Sequence, residues 1–441
     1  MRTKRGKRRI IKKRTRKQFK KRVNKMSGGA TFTVMTFNVE SWLSLIKPVY
    51  KMAKDEKDEK VDYDEKNTET IREQFKTYLS SAPSASAQEK WTNLKAIFNG
   101  VNILCIQEDA LMGEGRDQNI EEYKIDNEEQ PNFIETIRPT TGNPLNLVSS
   151  CKSHPYRWND TQGLYYSGSK LSNTIYSTYN TTKTSFGPQL KNELPNTIDY
   201  TINTGNKNHP RCWAISEIPI LEDSTTKTGL VFSSTPKPVG NVKVASIHLS
   251  GGRFDDIASL TGNNFIIKIR QVFELLKQKP DIICGDLNTK LVPPTNDTYF
   301  LGLPYDGKPV SEYLKTNPIT KSVDMTAIYT SIYSHISKNT PLMEDVSLLD
   351  KWHIWMYGLD YVFKDAKFAE ITGSVTYKSV FADNNVAPNT TIFGGTVDMI
   401  YYNPIKLKCD EVSAVSGVIE PGIKILSDHA PIKAVFTFLT L

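Results

Sequence analysis

The sequence lacks several features that would assign a protein to a class at once. Its 441 residues contain no run of about 18 apolar side chains, so no membrane-spanning helix is predicted. The five cysteines form no CxxC pair, which argues against a disulfide framework and against a zinc site. No internal repeat is visible. With 38% hydrophobic and 24% charged residues, the composition excludes a collagen-like, coiled-coil or fully disordered chain.

Acidic residues are absent from residues 1–25, although the whole chain carries 48 of them. The same segment contains 15 lysines and arginines, which leaves 41 basic residues against 48 acidic ones in the remainder. The chain is therefore a mildly acidic body behind a strongly basic tail. Such a tail is expected to be disordered and to bind polyanions, and it lacks the apolar core of a signal peptide.

Hydrophobic patterns in the body predict strands mixed with helices. Strands are predicted at residues 31–40, 101–109, 211–220, 242–250, 280–288, 396–402 and 432–439. Helices are predicted at residues 67–80, 87–99 and 263–278, the last with apolar side chains at helical spacing.

The domain organisation follows from these segments. We expect a basic tail over residues 1–30 and one large domain over residues 31–441. Insertions are predicted near residues 48–66, where charges run together, and near residues 140–210, which are rich in Asn, Thr, Ser and Gly. We expect both insertions to be mostly surface loops, with short edge strands in the second.

Polar side chains stand at the ends of several apolar segments. Carboxylates, amides and histidines are costly to bury unless they pair or bind something. If these strand ends converge, they form a carboxylate-rich pocket with two histidines, and its hard oxygen donors suit Mg²⁺. The set consists of Asn38, Gln107, Glu108, His248, Asp286, Asn288, Asp398, Asp428 and His429.

The motifs FN, QE, HL, GDLN, VDMI and SDHAP occur in this order between residues 31 and 440. Their order and spelling resemble those of the endonuclease/exonuclease/phosphatase superfamily, which includes exonuclease III and DNase I. GDLN and SDHAP are the most specific of the six. The resemblance implies an α+β fold with four layers, in which two mixed β-sheets pack face to face and helices lie outside. It also implies metal-dependent hydrolysis of a phosphate ester.

The resemblance implies Mg²⁺ as the cofactor, with Mn²⁺ as a substitute. Glu108 of the QE motif corresponds to the principal metal ligand. Asn38 is expected close to that ligand, and Asp428 is expected near the metal.

The resemblance also implies catalytic roles. Asp286 holds or deprotonates the attacking water, and Asn288 orients water or phosphate. Asp398 pairs with His429 and directs the other ring nitrogen towards the phosphate. A carboxylate beside this imidazole raises its pKa and favours its protonated form. His248 corresponds to a histidine of the DNase I-like branch and is a candidate acid for the leaving oxygen.

Two further assignments are secondary. Asp360 in GLDYVFKD is a rival to Asp398, but only Asp398 has the family's usual distance from SDH. Arg211 opens a predicted strand, and Arg253 follows HLSGG. A guanidinium group suits phosphate oxygens, so both arginines are candidates for substrate binding.

The substrate is not determined by the motifs. Relatives that act on abasic DNA usually carry a tryptophan in the first motif, where the chain has TFNVES, and a lysine in the QE motif, where it has IQEDA. Inositol phosphatases tend to have an arginine where Met399 stands. The basic tail favours DNA or RNA, because it would raise affinity by releasing counterions. A phosphatase or phospholipase C-type enzyme for inositol phosphates or sphingolipid, and an inert nucleic-acid-binding protein, are the alternatives.

The expected location is intracellular. A basic tail of this kind is typical of proteins imported into the nucleus. The body also resembles proteins of large DNA viruses in its Asn, Lys and Ile content, and for such a protein we expect the virion or a viral factory.

Overall fold

The computed structural model describes two sheets, four helices and their immediate connections. The described residues are 30–39, 96–109, 145–152, 156–160, 163–167, 172–179, 213–221, 238–249, 262–290, 301–302, 304–316, 334, 358–382, 388–391, 395–415, 418–420, 423–424 and 427–439. Residues 1–29 of the basic tail, the predicted insertion at residues 48–66 and the predicted helix at residues 67–80 lie outside these ranges.

In the described parts of the chain, eight strands precede the first helix and six strands follow the last one. The strands are β1 (Thr31–Asn38), β2 (Ile103–Gln107), β3 (Asn146–Lys152), β4 (Tyr156–Asp160), β5 (Gly163–Ser167), β6 (Ser172–Ser177), β7 (Trp213–Leu221), β8 (Pro238–His248), β9 (Ile282–Asp286), β10 (Pro304–Tyr305), β11 (Lys308–Pro309), β12 (Lys378–Ser379), β13 (Asp398–Tyr402), β14 (Leu407–Ala414), β15 (Ile419–Glu420), β16 (Ile423–Lys424) and β17 (Ile432–Phe438). The helices are α1 (Gly262–Lys277), α2 (Val310–Thr316), α3 (Leu359–Lys364) and α4 (Ala366–Thr372).

Eleven of these strands form two mixed sheets. The first sheet has the order β14-β17-β1-β2-β6-β3, and the second has the order β12-β13-β9-β8-β7. Each sheet contains one parallel pair, β1 with β2 and β8 with β9, and its other neighbours are antiparallel. The remaining strands form three two-stranded hairpins, β4–β5, β10–β11 and β15–β16.

The core lies between the two sheets. Alternate side chains of each strand point into it, because successive residues of a strand face opposite sides of the sheet. Phe32 and Val34 of β1 and Cys284 of β9 belong to one buried cluster. Tyr402 of the second sheet meets Phe436 of the first with ring centroids 5.4 Å apart. The sheets therefore pack face to face, and each large apolar side chain buried here contributes roughly 1.5–3 kcal/mol.

Helices cover the outer face of the second sheet. Tyr401, which alternates with the core residue Tyr402, stacks on Phe363 of α3 at a centroid distance of 4.3 Å. Helix α1 buries Val272 and Leu276 and packs against α4. The predicted α+β fold with face-to-face mixed sheets and outer helices is confirmed. None of the described helices is long and apolar enough to cross a membrane.

The predicted strands and the third predicted helix agree with the structure to within a few residues. Within the insertion at residues 140–210, however, β6 is not an edge strand. It pairs with β2 on one side and with β3 on the other, and its Ile175 and Tyr176 are fully buried. Strand β14 was not predicted. Asp360 lies in the first turn of α3 rather than in a strand.

Candidate active site

The parallel strand pairs bring the predicted site residues to one edge of both sheets. In the first sheet, Asn38 at the end of β1 is level with Gln107 at the end of β2. In the second sheet, His248 at the end of β8 is level with Asp286 at the end of β9. Asp398 starts the antiparallel strand β13 and lies opposite Asp286. Register therefore juxtaposes residues that are far apart in the sequence.

Asp286 is the side chain on which the others converge, and it is almost completely buried. Its Oδ2 accepts a hydrogen bond from Asn38 Nδ2 at 3.1 Å, and its Oδ1 accepts one from the backbone N–H of Asn288 at 2.7 Å. The Nε2 atoms of His248 and His429 lie 3.4 Å and 3.9 Å from the same Oδ2. One carboxylate thus faces an amide and two imidazoles.

Asn288 is held in a tight turn after Asp286. Its φ is +47°, a left-handed conformation that is uncommon for a residue other than glycine. Its side-chain Nδ2 donates to the carbonyl of Leu249 at 2.8 Å, and its backbone carbonyl accepts from Lys268 of α1. These bonds fix the amide of Asn288 beside the end of β8.

Asp398 and His429 form a buried pair, as predicted. Asp398 Oδ2 and His429 Nδ1 are 2.8 Å apart, and the carboxylate is completely buried. Burial raises the pKa of Asp398 to about 6, although its contact with His429 acts in the opposite direction. Burial opposes the charge on His429, but the charge and hydrogen bond of Asp398, helped by Asp286 and Asp428, outweigh it. The pKa of His429 is therefore raised well above its usual value.

The second ring nitrogen of His429 faces two other carboxylates. Its Nε2 lies 3.8 Å from Asp428 Oδ1 and 3.9 Å from Asp286 Oδ2, both beyond hydrogen-bonding distance. Since Asp398 occupies Nδ1, an imidazolium here would present its remaining N–H towards the centre of the site.

Glu108 and His248 complete the cluster. The Asn38 Nδ2 atom lies 3.4 Å from Glu108 Oε1, and His248 Nδ1 lies 3.6 Å from the same oxygen. Because its Nε2 is close to Asp286, the His248 ring stands between two carboxylates. Glu108 has a φ of +58°, so a second site residue adopts the left-handed conformation.

Ser427 attaches the SDHAP segment to the end of β1, and it was not among the predicted site residues. Ser427 is fully buried, and its Oγ donates to the Asn38 carbonyl at 2.8 Å. The same oxygen accepts the backbone N–H of His429 at 3.2 Å. Ser427 lies in the SDHAP motif, directly before the candidate site residues Asp428 and His429. That position in the sequence is the signal that could have indicated its role.

Three further candidate site residues, Arg211, Arg253 and Asp360, are not part of this described cluster. Arg211 and Arg253 lie outside the described residues, so their predicted contacts with substrate stay predictions. Asp360 is bonded to the hydroxyl of Tyr401 and to Lys364 on α3, whereas Asp398 pairs with His429. The preference for Asp398 over Asp360 therefore agrees with the geometry.

Solved structures offer a comparison for this arrangement. An endonuclease/exonuclease/phosphatase from Beutenbergia cavernae is 11% identical, with a TM-score of 0.42 over 93% of this chain and 72% of that one. The human Nocturnin catalytic domain is 12% identical, with a TM-score of 0.35 over 93% and 94%. TDP2 from D. rerio, complexed with a single-strand DNA product, is 9% identical, with a TM-score of 0.35 over 92% and 99%.

The chain is 12% identical or less to each of these structures, and each TM-score is below 0.5. No protein-family model matches it. No curated protein matches it either. At these identities and TM-scores the likeness carries no argument about this chain, so its chemistry has to be read from its own site.

The donors at the site suit a hard divalent cation that keeps most of its water. Glu108 and Asp286 supply carboxylates at the same strand edge, and Asn38 lies between them. Within the ranges that the structure describes, no three His, Cys, Asp or Glu side chains are spaced to hold a metal together. Mg²⁺ binds through one or two protein carboxylates together with waters, so the donor set fits Mg²⁺ better than Zn²⁺.

Proposed function

We propose that this protein is a Mg²⁺-dependent hydrolase of phosphate esters that acts as a phosphodiesterase on DNA or RNA. The observation that carries the proposal is the pair of Asp398 and His429 at 2.8 Å, aimed at the carboxylate of Asp286. A buried acid–imidazole pair opposite a second carboxylate separates a proton donor from a proton acceptor within one small site.

In this proposal, Asp286 accepts a proton from the attacking water. Its carboxylate is held in place by the amide of Asn38 and the backbone N–H of Asn288, so the direction from which the water approaches the carboxylate is fixed. Positioning of this kind lowers the entropic cost of bringing water and phosphate together. Asn288 would orient the water or a phosphate oxygen, in keeping with its restrained amide.

His429 stabilises negative charge as it develops on the phosphate oxygens. Its raised pKa favours the protonated ring, in which Nδ1–H donates to Asp398 and Nε2–H is the donor towards the site. His248, between Glu108 and Asp286, is the proposed donor of a proton to the leaving oxygen. Glu108 would hold Mg²⁺, with Asn38 and Asp428 beside it, and the bound ion would polarise the phosphate and offset its charge.

The nucleic-acid substrate is inferred from the basic tail. The 15 cationic side chains in residues 1–25 would bind a polyphosphate backbone without preference for sequence. A nuclear or viral-factory location is consistent with this substrate and is proposed on the same ground.

A substrate panel tests the proposal. Purified full-length protein is incubated with labelled single- and double-stranded DNA and RNA, in Mg²⁺ and in chelator, beside the variants Asp286→Asn and His429→Gln. We expect cleavage that requires Mg²⁺ and falls by at least about 100-fold in both variants. Release of phosphate or headgroup from inositol phosphates or sphingomyelin alone would favour the alternative substrates. Binding of DNA without any turnover would indicate an inert protein.

A further inference from the structure

Glu108, the proposed metal ligand, lies in the bend directly after β2. Its φ of +58° costs conformational energy for a residue with a Cβ atom, so the surrounding structure has to impose it. The next residue, Asp109, is buried rather than exposed on the loop. An acidic side chain that follows a strained residue and points into the protein requires specific partners.

Two partners of Asp109 lie on β6. Its Oδ2 accepts hydrogen bonds from Thr174 Oγ1 at 2.9 Å and from Tyr176 Oη at 2.5 Å. Thr174 and Tyr176 are two residues apart on one strand, so their side chains share a face of the sheet. Both are fully buried.

The register of β2 and β6 explains the conformation of Glu108. Gln107 is level with Asn173, whereas Thr174 and Tyr176 are level with Ile106 and Leu104. Asp109, which lies beyond the end of β2, is therefore hydrogen-bonded to residues that are level with earlier positions of β2. Glu108, with its left-handed φ, joins Gln107 at the end of β2 to Asp109.

Gln107 restrains the other side of the turn. Its Oε1 accepts from Thr36 Oγ1 at 3.1 Å on β1, and its Nε2 donates to Ser246 Oγ at 3.0 Å on β8. The residue before Glu108 is thus bonded to both sheets, and the residue after it is bonded to β6.

We propose that Asp109 is a positioning residue for Mg²⁺ binding, a role that rests on the proposed function. Its hydrogen bonds to Thr174 and Tyr176 hold Glu108 in the left-handed conformation and thereby aim the Glu108 carboxylate at the site. Without those bonds the turn relaxes towards ordinary backbone angles, and the carboxylate moves away from Asn38. The β6 strand, which lies within the predicted insertion at residues 140–210, becomes part of the support of the metal site.

The test removes the two hydroxyl groups and leaves the shapes of the side chains nearly unchanged. The variants are Tyr176→Phe and the double variant Thr174→Val/Tyr176→Phe in the full-length protein. The matched control is Tyr377→Phe, which removes a buried hydroxyl bonded to the carbonyl of Pro280 at 2.7 Å. Mg²⁺ affinity is measured by titration calorimetry without substrate, and folding is followed by thermal unfolding.

We expect the dissociation constant for Mg²⁺ to rise roughly 10-fold in the double variant and by a smaller factor in Tyr176→Phe, because loss of groups that orient a ligand weakens metal binding. The control is expected to lower the melting temperature and leave Mg²⁺ affinity unchanged. In Tyr176→Phe and in the double variant, kcat at saturating Mg²⁺ should return to most of the value of the unaltered protein.

Glu108→Gln separates failure of this inference from failure of the proposed function. If Glu108→Gln loses Mg²⁺ binding while Tyr176→Phe and the double variant bind like the control, only the positioning role is overturned. If Glu108→Gln binds Mg²⁺ like the unaltered protein, or if the unaltered protein binds none, the proposed metal site and the inference both fail. If the double variant does not fold, Tyr176→Phe alone tests the positioning role, because it keeps the aromatic ring and the hydrogen bond from Thr174 to Asp109.

Discussion

Asp286 occupies its position at the end of β9 because the residue before it is a glycine. Gly285 has a φ of +151°, and a Cβ atom added there would lie 1.8 Å from the backbone carbonyl oxygen of Ile247 on β8. Strands β8 and β9 therefore approach each other closely next to His248 and Asp286, which are directly paired. The glycine of the GDLN motif is needed for this close approach.

The variant Gly285→Ala tests this requirement. We expect the free energy of unfolding to fall by about 3 kcal/mol or more, because the new methyl group collides with backbone and adopts a strained φ. Denaturant unfolding measures the change, and any remaining folded protein should have reduced activity. Gly302→Ala is the matched control, since an added Cβ there meets no atom within 4 Å. Equal stability of the two variants would contradict the argument.

The Asp398–His429 pair yields a second prediction for single residues. Asp398→Asn keeps the size of the side chain but removes the charge that favours protonated His429. We expect kcat to fall by roughly 10²- to 10⁴-fold, with a small change in KM, because the ring acts mainly in the transition state. Steady-state kinetics on the best substrate of the panel measures both constants.

Asp360→Asn is the control for this experiment, because Asp360 carries the same functional group on α3 and contacts Tyr401 and Lys364 instead of the site. Its kcat should equal that of the unaltered protein once corrected for the folded fraction. If the two variants lose activity equally, the assignment of the pair is wrong.

Among the helices, α1 contributes a buried cation to the site turn. Lys268 is fully buried, and its ammonium donates to the backbone carbonyl of Asn288. A buried ammonium is costly unless it is well bonded, so its presence here indicates that the turn after β9 needs a strong donor. The helix thereby connects the outer layer of the fold with the edge where Asp286 lies.

The variant Lys268→Met tests the role of this helix. We expect the free energy of unfolding to fall by about 1–3 kcal/mol, because the Asn288 carbonyl loses its donor. We also expect kcat to fall, since Asn288 and Asp286 share the turn. Lys277→Met in the last turn of the same helix removes an exposed lysine that pairs with Glu274, and its stability should change by less than about 0.5 kcal/mol. A Lys268→Met protein with normal kcat would refute this role.

The sequence predicted the elements that have a clear hydrophobic pattern. Strands β2 and β9 are short runs with a polar last residue, β13 is apolar after its first residue, and β1 combines Phe and Val with β-branched threonines. The α1 helix has apolar residues at helical spacing, so the types of all five elements were predictable. Strand β6 was not assigned to the interior, because SNTIYS contains more polar than apolar residues, and the burial of Thr174 depends on a tertiary hydrogen bond to Asp109 that the segment itself does not reveal.

Among the site residues too, those that depend on tertiary contacts could not be predicted from a sequence pattern. Motif order was sufficient to select Asp286, Asp398 and His429, whose proximity the structure shows. It could not select Lys268, which stands between two isoleucines in the sequence and resembles an exposed position of the helix. Nor could it select Asp109, since the burial of that carboxylate depends on hydroxyl groups some 65 residues further along the chain. Long-range hydrogen bonds leave no periodic signal.

At the scale of the whole molecule, two charge systems are separated along the chain. The described site collects the carboxylates of Glu108, Asp286, Asp398 and Asp428 at one strand edge, whereas residues 1–25 carry 15 lysines and arginines and no acidic residue. A site rich in carboxylates repels a polyphosphate until a divalent cation is bound. A cationic segment elsewhere in the molecule would therefore raise the affinity for nucleic acid without contributing to the chemical step.

Deletion of residues 1–25 tests this division. We expect affinity for DNA to fall and the slope of log K against log salt to become less steep, by about 0.9 for each phosphate contact that is lost. The kcat on a short oligonucleotide should not change, because none of the proposed catalytic residues lies in the deleted segment. A protein with residues 1–25 in shuffled order is the matched control, and it should bind like the unaltered chain, since attraction to the phosphate backbone depends on charge rather than on order. An unchanged salt dependence after deletion would show that contacts in the body, and not the tail, hold the nucleic acid.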